Sequence, residues 1–473
     1  MKRITSLLAL FAMLITACGL KVPATIVAGD SQVLDDTVVI DPNTGAVVDT
    51  DPGDLDPGDL GDVGDVGDVG DTDDGVIDTA GSIFKSETEG ITKDRITVCA
   101  HVPITGAAPI PHHENRFGQF YFDYVNQELG GVYGRQVTFR AIDDQYYPAG
   151  ARKAMTECAS QGAFIYFGAA GTDQIVSVAK WAEEKQVPYL HGPTSVKDIG
   201  GLHYNVHAGP TYEYQHQLLA RYLVKRFGKD VTYGTVRVDS PFFQAGVEAF
   251  KAELAKLGAT HAVEIKVQKD EKQFQNVFFD LAGVDVVNNF TTPNIWINMM
   301  AQKPATYNPW WTAVSPVAGF NIVAAALPDS TKAVVFQHFQ PACECQTYRK
   351  AAPPPKALPW YDDIQEFLRI FRTYSPEQDP DPDDFDYSSY LSSKGIHRLL
   401  LQAGPEPTRT KLWALFDSYK EKATKTFPGC PGDFSRSDDR IGAWSVNIME
   451  LRNKTWTQNF GDGRLANLCV DRI

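Results

Sequence analysis

"FIYFGAAGTDQ", Phe164 to Gln174, is an apolar run that ends in a glycine-rich turn, with a helical pattern opening behind it. A run of large apolar side chains this short suits a strand buried on both faces. Glycine lets backbone N–H groups converge on one point, and a helix N-terminus behind them favours an anion or a polar ligand. The stretch therefore reads as strand, ligand turn and helix.

Working outward, the same unit recurs. "RITVCAHVPI" is an apolar strand, 112–129 has helical spacing, "RQVTFRAID" is a second strand and "PAGARKAMTECASQ" opens a helix on proline. After the opening stretch come a helix over 172–185 and a fourth strand in "VPYLHG". This βαβα order requires a parallel sheet covered by helices on both faces, with ligand beyond the carboxyl ends of the strands. A second alternation runs through "TYEYQHQLLARYLVKRFG", "VTYGTVRVD", "FQAGVEAFKAELAKLG", "HAVEIKVQ" and a helix over "EKQFQNVFFDLAGV", and "NIWIN" and "KAVVFQHF" continue the strands. Helical patterns return at 361–374 and 411–424. Two short strands around Asn453-Lys454 close the chain, and "AAPPPKALP" is a surface excursion.

The first residues set the expected address. Lys2 and Arg3 precede "LLALFAMLI", an apolar run of signal-peptide length, and "ITAC" follows directly. This resembles a bacterial lipobox, so residues 1–18 are expected to be a lipoprotein signal peptide with Cys18 carrying the lipid. Residues 19–90 hold 18 acidic residues and two lysines, with "GDLDPGDLGDVGDVGDVGDTDDG" at their centre. Such a stretch cannot bury enough apolar area to offset its ordering entropy, and it is expected to be a disordered acidic tether. As a flexible coil it would span about 45–50 Å.

The whole chain carries a net charge of −15. The tether holds a surplus of 16 negative charges and Lys2 and Arg3 are positive, so the rest lies within one charge of neutral. That balance argues against a nucleic-acid partner. Of seven cysteines, Cys18 aside, six remain: Cys99, Cys158, Cys343, Cys345, Cys430 and Cys469. An even number outside the cytoplasm permits disulfides, with the pairing open. "CEC" lacks a second ligand pair for zinc, and His203 and His207 in "HYNVH" fall in an extended hinge where their spacing does not converge. No metal and no cofactor are expected.

The motifs in this order resemble the type I periplasmic substrate-binding proteins of branched-chain amino acid ABC transporters. "ITVCAHVPITGAAP", "FGQFYFDYVNQELGGVYGRQVTFRAIDDQYYPAGA" and "YGTVRVDSPFFQAGVEAFKAELAKLG" carry the likeness, over nearly all of 91–473. The resemblance implies an α/β fold of two doubly wound Rossmann-like lobes joined by three hinge crossings. Lobe I would comprise 91–208 and 336–440, lobe II 209–335 and 441–473.

It also implies a site. Thr172, with backbone amides at Gly171, and Ser195 would hold a ligand α-carboxylate, and Pro193 would add a backbone carbonyl. Asp239 and Phe243 stand in the second-lobe turn, and Glu271 stands for the glutamate that pairs with an α-ammonium. Phe117, with His112 and His113, would line the rim. Asp173 is expected to point outward and cap its helix. A disulfide found in some relatives is lacking, because its positions hold Tyr146 and Gly171; a Cys99–Cys158 bridge is expected as a substitute, since the helix of Cys158 would pack over the strand of Cys99. Trp310 and Trp311 are expected to pack a lobe rather than stack on a ligand.

Rival chemistries find little support. "GAAGTDQ" lacks the lysine and hydroxyl of a phosphate-binding P-loop, "PITGAAP" is not a dinucleotide fingerprint, and no G-x-S-x-G elbow occurs. The expected function is a lipid-anchored, monomeric extracytoplasmic solute-binding protein, not an enzyme. It would deliver an amino acid or related carboxylate or amide to an ABC permease. A sensor of the same fold, or a hydrolase built on Asp143, Asp144, Asp173 or Asp239, are the alternatives.

Overall fold

The computed structural model describes residues 39–40, 47–48, 83–84, 86–106, 118–168, 171–192, 199, 201–207, 209–315, 321–337, 361–375, 382, 384–418, 445–458 and 467–469. Two units are distinguished. In the first, Met1–Asp74, the described residues are β1 (Val39–Ile40) and β2 (Val47–Val48), paired antiparallel. The second, Gly75–Ile473, contains the two larger sheets.

The first of these sheets is built from β3 (Arg95–Val102), α1 (Gln119–Glu128), β4 (Gln136–Asp143), α2 (Pro148–Ser160), β5 (Ile165–Gly168), α3 (Thr172–Lys185), β6 (Tyr189–His191) and β7 (Asn205–His207). Its five strands are all parallel, in the order β4-β3-β5-β6-β7. The two-residue period of β3 explains why both faces are covered. Ile96, Val98, Ala100 and Val102 belong to the core that includes α1, while Cys99 joins Met155, Cys158, Ile175 and Ala179 beneath α2 and α3. Cys99 and Cys158 are joined there as a disulfide.

The second sheet follows with α4 (Tyr212–Phe227), β8 (Thr232–Val238), α5 (Pro241–Lys256), β9 (Thr260–Val267), α6 (Gln275–Asp280), β10 (Val286–Phe290), α7 (Pro293–Ala301), β11 (Trp310–Ala313), α8 (Asn321–Ala326) and β12 (Lys332–Gln337). The chain then returns through α9 (Tyr361–Tyr374), α10 (Asp384–Ala403) and α11 (Arg409–Ser418) to the first sheet, where Phe367 and Phe371 meet Phe120 of α1 edge-on. It ends with β13 (Ser445–Arg452), β14 (Thr455–Gln458) and β15 (Asn467–Cys469) in the second sheet. That sheet has eight strands: β14-β13-β12-β11-β10-β8-β9, with β15 beside β13. β8 to β12 are parallel, while β13 runs against β12. The chain thus passes three times between two doubly wound Rossmann-like sheets, as the fold class requires. In both, the strand order reverses between the first and third strands, and a ligand crevice opens there at the carboxyl ends.

Local expectations need four corrections. "NIWIN" lies within α7, started by Pro293, and the strand is the preceding Val286–Phe290. α6 is shorter than its pattern, because the Glu271 carboxylate accepts the N–H groups of Lys272 and Gln273 and holds a turn there. α10 was masked by weak helix formers, among them Ser388, Ser389, Ser392, Ser393 and Gly395, and burial of Tyr387, Tyr390 and Leu400 overrides them. Residues 86–90, counted with the tether, are folded onto the first sheet by hydrogen bonds from Arg409 to the carbonyls of Ser86 and Glu89. The turn at Asn453-Lys454 is as expected, both residues having positive φ. The proline-rich excursion lies outside the described residues. Among the described residues, no helix is long and apolar enough to cross a membrane.

Candidate functional site

At the carboxyl ends of both sheets lies a cavity with about 380 Å³ of unfilled space, counting its open mouth. Tyr146, just past β4, and Thr172 and Asp173, at the start of α3, form one wall. Val238 at the end of β8, Phe243 in α5, Lys269 past β9, and Thr292 and Asn294 past β10 form the other.

The opening stretch folds as strand, turn and helix. Gly171 has φ 93°, and a Cβ there would lie 2.2 Å from Oε1 of Gln174, so the turn needs glycine on both counts. Thr172 follows as the first residue of α3, and its hydroxyl lies 3.0 Å from the phenol of Tyr212. Burial pushes the Tyr212 phenol up to about 12, with the hydrogen bond from Thr172 opposing and the nearby Asp173 reinforcing. Burial, followed by Tyr212, Asp173 and Asp144, also raises Tyr146. Both phenols therefore stay protonated at neutral pH and keep a proton to donate.

Asp173 does not cap its helix. No side chain caps Gly171, and the Asp173 carboxylate instead forms an ion pair with Lys269 across the cavity. Its Oδ2 takes the ammonium, while its Oδ1 is buried without a hydrogen-bond partner. This places a carboxylate, paired with Lys269, beside the glycine turn where a ligand carboxylate was expected. A helix N-terminus favours an anion by about 0.3–1 kcal/mol, whereas two like charges about 4 Å apart repel by roughly 4 kcal/mol at an effective dielectric near 20.

The other expected residues divide. Thr172 and Phe243 line the cavity, with Gly171 in the turn beneath it, and Phe243 stacks at a tilt on Phe290, centroids 4.7 Å apart. Glu271 and Asp239 do not line it: Glu271 closes its own turn, and Asp239 sits 3.6 Å from both Arg237 and Lys266. Ser195, Pro193, Phe117, His112, His113 and Cys18 lie outside the described residues, as do Cys343, Cys345 and Cys430. Tyr146, Lys269, Thr292 and Asn294 were missed. Their one signal in the sequence is position, each within a few residues of a strand's carboxyl end.

The remaining candidates serve the scaffold. Asp143 accepts the N–H groups of Ile104, Thr105 and Gln145 and the Thr105 hydroxyl; burial would raise its carboxyl, but these bonds hold it below the usual range. Asp144 is fully buried against His101. These carboxylates hold turns and core contacts and do not converge on one point. Nε2 of His203 accepts from Trp413, and His207 packs edge-on against His191 in the sheet. Trp311 is buried, and Trp310 packs under the Arg226 guanidinium at 4.6 Å.

Two Rossmann-like sheets facing one cavity, with an ion pair bridging its walls, define a two-lobed binding protein. A family model described as "Periplasmic binding protein" matches residues 102–455. The chain belongs to that family, and its fold is the type I form. Among solved structures, it is similar to a fatty acid ABC transporter substrate-binding protein from Thermomonospora curvata, with 17% identity, a TM-score of 0.65, and 81% of this chain and 93% of that one covered. A branched-chain amino acid ABC transporter protein from Thermus thermophilus with bound valine gives 16%, 0.60, 78% and 96%. A solute-binding protein of an ABC transporter from Rhodopseudomonas palustris BisB5, in complex with 3,4-dihydroxy benzoic acid, gives 16%, 0.61, 80% and 98%. No curated protein matches.

Proposed function

We propose that this protein is an extracytoplasmic solute-binding protein that captures a small ligand between its lobes and hands it to an ABC permease. A cavity with a wall from each sheet is the observation that carries this reading. A ligand touching both walls favours closure, because only the closed form offers both sets of contacts. The names of the three similar structures, with a fatty acid, valine and 3,4-dihydroxy benzoic acid, support a carboxylate on the ligand, as in an amino acid or related acid. Lys269 and the neutral Thr292 and Asn294 beside it suit such a group.

Cys18 carries the lipid, residues 19–82 give the binding unit its reach, and the mature protein acts as a monomer. Lobe I is 83–208 with 338–440, and lobe II is 209–337 with 441–473, since β12 stays in the second sheet through Gln337. Phe117, Pro193 and Ser195 complete the first wall. The role is binding rather than catalysis, since the candidate carboxylates are engaged as described above.

The test is intrinsic fluorescence and thermal shift across a metabolite library. With eight tryptophans, closure should alter emission, and a bound ligand should raise the unfolding midpoint. Saturable binding without a product is expected. Turnover of the bound compound, or no response to any small solute, would remove the reading.

A further inference from the structure

The charges on the two walls specify more than a generic polar ligand. Among the described residues, the first wall presents one full charge, the Asp173 carboxylate, whose side chain is only 12% exposed. Of its oxygens, Oδ2 is taken by Lys269, and Oδ1 is buried with no partner. A buried carboxylate oxygen without a donor is costly and calls for an N–H group to complete it. Behind this wall the Asp144 carboxylate faces His101 and the backbone N–H of Tyr146. Among the described residues, no cation lines the first wall. The second wall carries the opposite charge on Lys269, about half exposed, beside the neutral Thr292 and Asn294, with Phe243 and Val238 as its apolar part.

We propose that the ligand bears a basic nitrogen and binds with that nitrogen on Asp173 of the first wall. Its carboxylate or other acceptor end faces Lys269 on the second, and its apolar part lies on Phe243 and Val238. This is the reverse of the orientation that Thr172 and Glu271 would impose, and it deepens the solute-binding reading on which it rests. Asp173 and Lys269 hold each other in the structure, and a dipolar ligand replaces that single ion pair with two charge-assisted contacts, one at each end. A purely anionic molecule that draws Lys269 away would leave the Asp173 carboxylate buried without its cation, which the site disfavours, and an uncharged one would gain neither charge-assisted contact. The pair therefore selects for zwitterions and amines over simple acids.

The experiment is titration calorimetry on the purified chain with matched probes: the standard amino acids, their decarboxylated amines and their deaminated acids. Asp173→Asn, Lys269→Gln and Glu271→Gln are compared, each first checked for an unchanged unfolding midpoint. At least one amino acid should bind. Its amine should bind more weakly, and its deaminated acid weakest of all. Asp173→Asn should weaken the amino acid and the amine by about tenfold or more, and Lys269→Gln should weaken the amino acid while sparing the amine. Glu271→Gln should leave all three unchanged.

The polarity is overturned if the acid binds as tightly as the amino acid, or if Glu271→Gln carries the loss that Asp173→Asn does not. It is equally overturned if every matched probe fails while a neutral or anionic library compound binds, and the solute-binding reading then survives. Should no compound of either set bind, that reading falls and takes this one with it. The wild-type ranking of amine against acid decides the matter even if a variant fails to fold.

Discussion

Nδ1 of His101 lies 2.7 Å from Oδ2 of Asp144, and both side chains are fully shielded from solvent. On its other side, Nε2 of His101 is 2.7 Å from the Tyr189 hydroxyl, and Oδ1 of Asp144 accepts the N–H of Tyr146. A buried chain thus runs from β6 through β3 to a residue of the cavity wall. It also accounts for the backbone of Tyr146, whose φ of 55° is unusual for a bulky residue. Replacing Asp144 with alanine should destabilise the protein by about 3 kcal/mol or more, because it leaves a buried imidazole without its partner. Urea unfolding would measure it, and a midpoint like the wild type's would show that the chain holds nothing in place.

Gly168 sits against the same chain. A Cβ there would lie 1.8 Å from the Tyr189 hydroxyl and 2.8 Å from Nε2 of His101. Gly168→Ala should cost about 1–3 kcal/mol through overpacking. It should also move Tyr189, so the substitution combined with Tyr189→Phe should be less destabilising than the two effects added. Strict additivity in a double-mutant cycle would contradict that coupling.

The disulfide between Cys99 and Cys158 spans 59 residues. Closing a loop of that length in the unfolded chain corresponds to about 4 kcal/mol in the loop-entropy treatment, with 2–4 kcal/mol usual in practice. Replacing both cysteines with serine should lower stability on that scale while leaving ligand affinity nearly unchanged, since neither residue lines the cavity. A large loss of affinity with stability intact would mean that the bridge shapes the site directly.

Acid should weaken the fold through two buried imidazoles. Burial lowers His191 to about 4, with His101 adding to the effect and the Gly192 carbonyl opposing it. Burial also lowers His216 to about 4 against an opposing bond to the Tyr212 carbonyl. In the unfolded chain both titrate near 6.5. Between about pH 6.5 and pH 4 the unfolded state therefore binds more protons than the folded one, and stability falls as pH falls. Each histidine contributes about 1.4 kcal/mol per pH unit within that window and nothing above it. Denaturant midpoints that stay flat from pH 7 to about pH 5 would contradict the assignment.

How much of this was legible follows from the range of the forces involved. The alternation of apolar strands and amphipathic helices is local, so the two parallel sheets and the strand–turn–helix at Thr172 could be read directly. Lys269 and Asp173 are 96 residues apart, and each looks like an ordinary surface charge until the two sheets face one another. The same holds for Asn294 and Tyr146, which matter only because β10 and β4 end at the crevice. Glu271 shows the opposite failure: its residue type suited an ammonium, but the nearest donors were the N–H groups of its own turn. α10 escaped notice because its serines and Gly395 outweigh its apolar stripe until Tyr387 and Tyr390 are packed.

Arg409 holds the root of the tether. Arg409, only 1% exposed, donates to the carbonyls of Ser86, Glu89 and Ala163 at 2.7, 2.7 and 3.0 Å. Its guanidinium carbon stands 3.4 Å from the centroid of the Phe84 ring, a stacked cation–π contact. The neighbouring Thr410 donates both its N–H and its hydroxyl to the Glu87 carboxylate. Burial lowers the Arg409 guanidinium to about 10, still well above neutral pH, so the residue remains charged and depends on those carbonyls. Lysine cannot replace this fork, because it offers one compact ammonium where three carbonyls and a ring are spread around a plane. Arg409→Lys should therefore release residues 83–90, and Arg409→Met should do so more completely. Limited proteolysis followed by mass spectrometry would then find new cleavage sites within 83–90, where the wild type is cut only further toward the N-terminus. Because the contacts fix one end of the chain rather than the cavity, ligand affinity should stay the same. An unchanged cleavage pattern in both variants would mean that Phe84 and Glu87 hold the segment without Arg409.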